Sequence, residues 1–147
     1  MRGLIRPISL IILFILTMGV LAACGVIGSG IQYGDDISKP FPKEAAGFVV
    51  CSEACSDQGQ CGFTTSNDAE VSVVLVNPGR PVTRDHGAFV QANSAVTILD
   101  SREMQMTRQA SGEKFPMNFY LIRYAPPSGT QVDGWVHGAC VANRALK

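Results

Sequence analysis

Two histidines, His86 and His137, and one tryptophan, Trp135, stand in 147 residues. So little imidazole leaves few candidates for a histidine metal centre or an acid–base pair. Excess charge is missing too: twelve Lys and Arg balance twelve Asp and Glu. No basic run or stripe is present, which argues against a nucleic-acid partner. No G-x-S-x-G elbow surrounds any serine, so the Asp85-His86 pair has no evident nucleophile to activate. No cofactor fingerprint and no internal repeat occur, and no amphipathic helical period is evident beyond the N-terminal segment.

What the chain does have is unevenly placed. Arg2 and Arg6 open it, and Ile8 to Ile31 then carry no charge. A basic start, an apolar stretch and small residues at its end form the signal-peptide pattern. The stretch ends in Leu21-Ala22-Ala23-Cys24, which resembles the lipobox of bacterial lipoproteins. That resemblance implies removal of residues 1–23, a diacylglyceryl group on the Cys24 thiol, and a lipid anchor at the extracytoplasmic face of a membrane. The alternative is an uncleaved signal or anchor helix, since the charge-free run is long enough to span a bilayer. Either arrangement puts the arginines inside and the rest of the chain outside. Residues 24–44 contain glycines, three acids and two prolines without a period, and read as a flexible tether. Residues 45–147 suit one small domain, with a cysteine-rich entry over 45–66 and a barrel over 67–147.

Four cysteines follow Cys24: Cys51, Cys55, Cys61 and Cys140. Export and an even count point to two disulfides. Four cysteines allow three pairings, and sequence does not choose among them. The arrangement expected here is Cys55–Cys61 around the polar loop 56–60, with Cys51–Cys140 tying the domain's start to its end. The segment Cys51-Ser-Glu-Ala-Cys55 also resembles the opening of the binuclear copper motif of cytochrome oxidase. That motif then requires a histidine and a methionine, and Gly59 and Gly62 stand at those places. Copper sites need imidazole and soft ligands in a set geometry, so that site is excluded. A zinc site from the four cysteines would lack the paired C-x2-C knuckles of such sites. No metal and no cofactor are expected.

Beyond Cys61 the pattern is strand-like. Val71–Val76, Ala95–Leu99, Phe119–Tyr124 and Thr130–Val136 are rich in β-branched and aromatic residues, and Asn77-Pro78-Gly79 and Pro126-Pro127-Ser128-Gly129 punctuate them. Residues 101–114 read as a long hairpin loop. Short strands at turn-separated intervals imply a mainly β barrel or sandwich. Ala92-Asn93-Ser94 before Val96-Thr97-Ile98-Leu99, the pair Phe119-Tyr120, and Gly134-Trp135-Val136 resemble the pattern of bacterial Src-homology-3-like domains. The resemblance covers about a third of the chain. It implies a small β-barrel and a role as a targeting or interaction unit.

Candidate sites are few. Trp135 reads either as a core residue or as a ligand platform with Tyr120 and Tyr124. His86 and His137 read as solvated loop histidines, and Met104 and Met106 as loop packing rather than copper ligands. An interaction surface is expected from Phe119, Tyr120, Arg123, Tyr124 and Trp135 with Arg102 and Arg108, residue types enriched at hot spots. The expected function is non-catalytic: an anchored interaction module or accessory subunit of a membrane protein complex. A cell-wall-binding lipoprotein and a metal-handling envelope protein are the alternatives.

Overall fold

The computed structural model describes residues 30–66, 68–81 and 85–147. The expected signal peptide, Cys24 and the first part of the expected tether lie outside these residues. The protein is mainly β. Strand β1 (Ala46–Val49) leads to a one-turn helix α1 (Glu53–Asp57), then β2 (Cys61–Ser66), β3 (Ala69–Val76) and β4 (Ala88–Gln91). Strands β5 (Ala95–Thr107), β6 (Lys114–Tyr124) and β7 (Val132–His137) follow, then a 3₁₀ turn (Gly138–Cys140) and β8 (Val141–Ala142).

The strands form two sheets, in the orders β7-β6-β5-β1-β8 and β2-β3-β4. The expected closed barrel is not formed. Among the described residues, the backbone makes one isolated bridge between the sheets, in which Asn77 and Trp135 exchange both N–H···O bonds, at 3.0 and 2.6 Å. The bridge cannot grow into a ladder. Pro78 has no N–H to give, and the Asn77 side-chain oxygen accepts the Gly79 N–H at 2.9 Å, turning the chain away. Gly134 is required at this crossing, because a Cβ there would overlap the Val76 side chain.

Alternation explains the core. Val74 and Val76 of β3 and Val90 of β4 are buried on one face of the small sheet. Val96 and Ile98 of β5, Tyr120 and Ile122 of β6 and Val136 of β7 are buried in the large one. Asn93 takes the left-handed conformation, φ 69°, in the turn between β4 and β5, where Asn is well tolerated.

Residues 31–44 depart from the expected tether. Gly34 N–H donates to Val141 O at 2.9 Å, and Asn143 N–H donates to Gln32 O at 3.0 Å, extending the sheet edge beyond β8. Phe41 N–H donates to the Tyr120 hydroxyl at 3.2 Å, and the two rings lie 5.6 Å apart. Without a period of its own, this segment gains order from edges that the domain already presents.

The expected loop 101–114 is instead the far part of the β5–β6 hairpin. Pairing runs from Thr97↔Arg123 to Thr107↔Lys114, with one irregularity between Ile98 and Asp100. This bulge at Leu99 lies just beyond the last residue of β5 that β1 pairs, Thr97. On the other side β7 stops at Phe119↔His137, and Pro116 follows within the unpaired edge of β6. Bulge and proline release the ribbon from both neighbours. It projects as a two-stranded arm ending in the turn 108–113.

Candidate functional site

The cysteines pair as Cys51–Cys61 and Cys55–Cys140, with Cα atoms 5.5 and 4.9 Å apart. Two disulfides stand, and Cys140 joins the cluster as expected, but the expected partners are exchanged. The reason is α1. Ser52 caps it, accepting the Cys55 N–H at 3.1 Å while its hydroxyl donates to Ala139 O at 2.7 Å. One helical turn points Cys55 inward to the 3₁₀ turn and leaves Cys51 beside the start of β2. Sequence reading found no helix because five residues are too few to show a period. Ser52 is thereby committed to capping.

His137 is not a solvated loop residue. It is 5% exposed, with its ring edge-on to Phe119 at 5.5 Å. Its Nδ1 accepts the Ala139 N–H at 3.1 Å, capping the 3₁₀ turn, and its own N–H donates to Gln60 Oε1 at 2.7 Å. Burial pushes its pKa below the ordinary value, with Asp35 opposing. His86 is exposed, as expected. Among the described residues no group of three or more His, Cys, Asp or Glu side chains is placed to hold a metal ion.

The expected interaction surface is divided. Phe119, Tyr120 and Trp135 are buried and belong to the packing of the sheets. Tyr120 and Tyr124 lie on the opposite face of β6 from Phe119 and Arg123. Arg123 forms a double hydrogen bond with Asp133, at 2.9 and 2.6 Å, which holds the Asp133 carboxyl below its ordinary pKa. Arg102 stacks over the Trp135 ring at 5.0 Å. Arg108 sits at the tip of the arm, paired with Glu113 at 2.7 Å and lying over Phe115 at 5.4 Å. The aromatics are spent on the core, and two of the arginines are held by carboxylates.

The large exposed apolar side chains are elsewhere. Phe63 of β2 is 72% exposed and Phe89 of β4 is 66% exposed. The register puts Val71, Val73 and Leu75 of β3 on one face with Thr64, Phe89 and Gln91. No charged side chain interrupts these pairs. A signal for this face was present in the sequence. Val71–Val76 carries branched apolar residues at both parities, whereas a strand with one solvated face alternates with polar residues.

Clefts are present among the described residues. One, of about 390 Å³, is lined by Tyr33, Asp35, Ser52, Glu53, Ala54 and Asp57. Another, of about 530 Å³, is lined by Arg80, Pro81, Arg102, Glu103 and Met104. The serine of the first is the α1 cap, its other hydroxyl is the Tyr33 phenol, and its acids have no basic residue beside them in the lining. Comparison of the chain with protein families, curated proteins and solved structures found no match.

Proposed function

We propose that this chain is a lipid-anchored, non-catalytic interaction module that serves as an accessory subunit of an extracytoplasmic membrane complex. The observation that carries this reading is the uncharged outer face of the small sheet, with Phe89 at 66% exposure above Leu75 and Val73. Isolated exposed apolar residues need no explanation, but a contiguous uncharged apolar face marks a contact surface. The proposed contact therefore moves from the Phe119–Trp135 region to the β2-β3-β4 sheet.

The anchor is part of the same proposal. With Cys24 lipidated, residues 25–31 would link it to Gln32, where hydrogen bonding to Asn143 begins. Seven residues reach at most about 25 Å, so the domain would stay next to the bilayer and its integral proteins. The Src-homology-3-like reading also belongs here. It is supported by the β5-β6-β7 meander, by the return of β8 beside β1, and by Gly134-Trp135-Val136 in the strand before the last.

The test is co-purification from gently solubilised native membranes, comparing wild type with Phe89→Ser and Leu75→Ser. The proposal expects a membrane-protein partner with wild type, its loss in both variants, and a thermal midpoint for Phe89→Ser within a few degrees of wild type. Retention of the partner by both variants overturns the surface. Recovery of the protein alone, together with binding to purified wall polymer, favours the wall-binding alternative.

A further inference from the structure

Five methionines occur in the chain, and the three beyond the N-terminal segment are Met104, Met106 and Met117. The structure brings all three to one face of the β5–β6 arm. Met104 pairs directly with Met117 and Met106 pairs with Phe115, so these four side chains lie on the same side of the ribbon. All four are partly buried, while Glu103, Gln105, Lys114 and Pro116 on the other side are exposed. Pairs that face each other across a ladder hold Cβ atoms about 5 Å apart, and diagonal pairs about 7–8 Å. Residues two apart on one strand are about 7 Å apart. A triangle of that size suits convergence of three flexible thioethers on one point above the sheet.

We infer that Met104, Met106 and Met117 form a binding site for a soft monovalent cation, cuprous copper. Thioether sulfur is neutral and polarizable; it selects Cu(I), whereas Mg²⁺, Ca²⁺ and Mn²⁺ suit oxygen ligands. The neighbouring cations do not occupy the place. Arg108 is neutralised by Glu113 and lies over Phe115, and Arg102 lies over Trp135. Phe115, opposite Met106 on the same face, adds apolar surface there, and contacts between aromatic rings and thioethers are favourable. Met104 also lines the 530 Å³ cleft, which gives an ion a route from solvent. All four cysteines beyond Cys24 are in disulfides, so thiolates do not compete. This inference does not depend on the proposed docking role, since it concerns the arm and not the small sheet.

The experiment is titration of the purified protein with Ag(I), a redox-inert stand-in, and with Cu(I) held by a chromophoric chelator. No thiol reductant is used, so the disulfides stay intact. One ion per chain is expected, with the three methionine ε-methyl resonances shifting together. Met→Leu conserves volume and removes the donor, so folding should survive. Met104→Leu and Met117→Leu should each weaken binding about tenfold or more, as loss of a ligand requires at least the effect of losing its support. Affinity should not change between about pH 7 and 5, because thioethers carry no proton to displace, unlike thiolate, imidazole or carboxylate ligands. Absence of binding, unchanged binding in the leucine variants, or binding that weakens with acid each overturns the site. If a variant does not fold, the wild-type methyl shifts alone decide, and shifts confined to other residues overturn it.

Discussion

The β5–β6 hairpin is two different structures joined end to end. At its base, Val96, Ile98, Tyr120 and Ile122 are buried between β1 and β7. In its arm, the same two strands continue their ladder from Glu103↔Asn118 to Thr107↔Lys114, where neither β1 nor β7 pairs with them. The backbone hydrogen bonding barely changes along the hairpin, while the burial does. Burial, at about 25 cal/mol per Å² of apolar surface, separates structural positions from those free to take on a function. The base is where aromatic residues and arginines looked like a surface and are core or paired. The arm looked like a loop and presents an ordered apolar face.

The comparison can be broken first at the staples. Cys55–Cys140 closes a chain separation of 85 and ties α1 to the 3₁₀ turn behind the base, whereas Cys51–Cys61 closes one of 10. In the chain-entropy picture these are worth about 4–5 and about 3 kcal/mol respectively. Replacing Cys55 and Cys140 together by alanine should lower the denaturant midpoint more than replacing Cys51 and Cys61. The reverse order would contradict the observed pairing, as would peptide mapping that finds Cys51 joined to Cys140.

Side chains give the next contrast. Ile122→Ala at the base should cost about 2–5 kcal/mol, as for other fully buried truncations. Met106→Leu in the arm should cost under about 1.5 kcal/mol. Chemical denaturation of both variants measures the ratio directly. Equal losses would mean that the arm is part of the core.

A smaller effect should come from His137, which lies at the end of β7 against the base. Burial holds its pKa below 6.5 in the folded state. As pH falls through 6.5 the unfolded chain therefore takes up a proton before the folded chain does. Its contribution is constant above 6.5, and stability is lost on acidification until pH passes the folded-state value. Asparagine keeps a side-chain acceptor for the cap and does not titrate. His137→Asn should lose less stability than wild type between about pH 7 and 5. Parallel curves would remove His137 as the cause. Least of all is expected from Arg108→Ala, which removes an exposed ion pair and should change stability by at most about 0.5 kcal/mol.

These contrasts also mark what could be read from the chain alone. The mainly β class, the two disulfides and the positions of β3, β6 and β7 follow from β-branched runs, turn residues and an even cysteine count. Those signals are local. The pairing of Cys55 with Cys140 depends on the direction in which one helical turn points a side chain. The order of residues 31–44 depends on edges offered by β8 and Tyr120. The arm depends on a bulge at Leu99 that no residue type announces. Polar residues in register look the same as polar residues in a loop, so Ser101–Lys114 gave no warning. Nothing in the sequence distinguishes Phe63 and Phe89 from apolar strand residues that face inward.

The central claim is that the small sheet, and not the arm tip or the base, is the surface that meets a partner. A photo-activatable residue placed at Phe89, and in a control at Arg108, tests it in intact cells. The account predicts one discrete membrane-protein adduct from position 89 and none from position 108. No adduct from 89, or equal adducts from both positions, would contradict it.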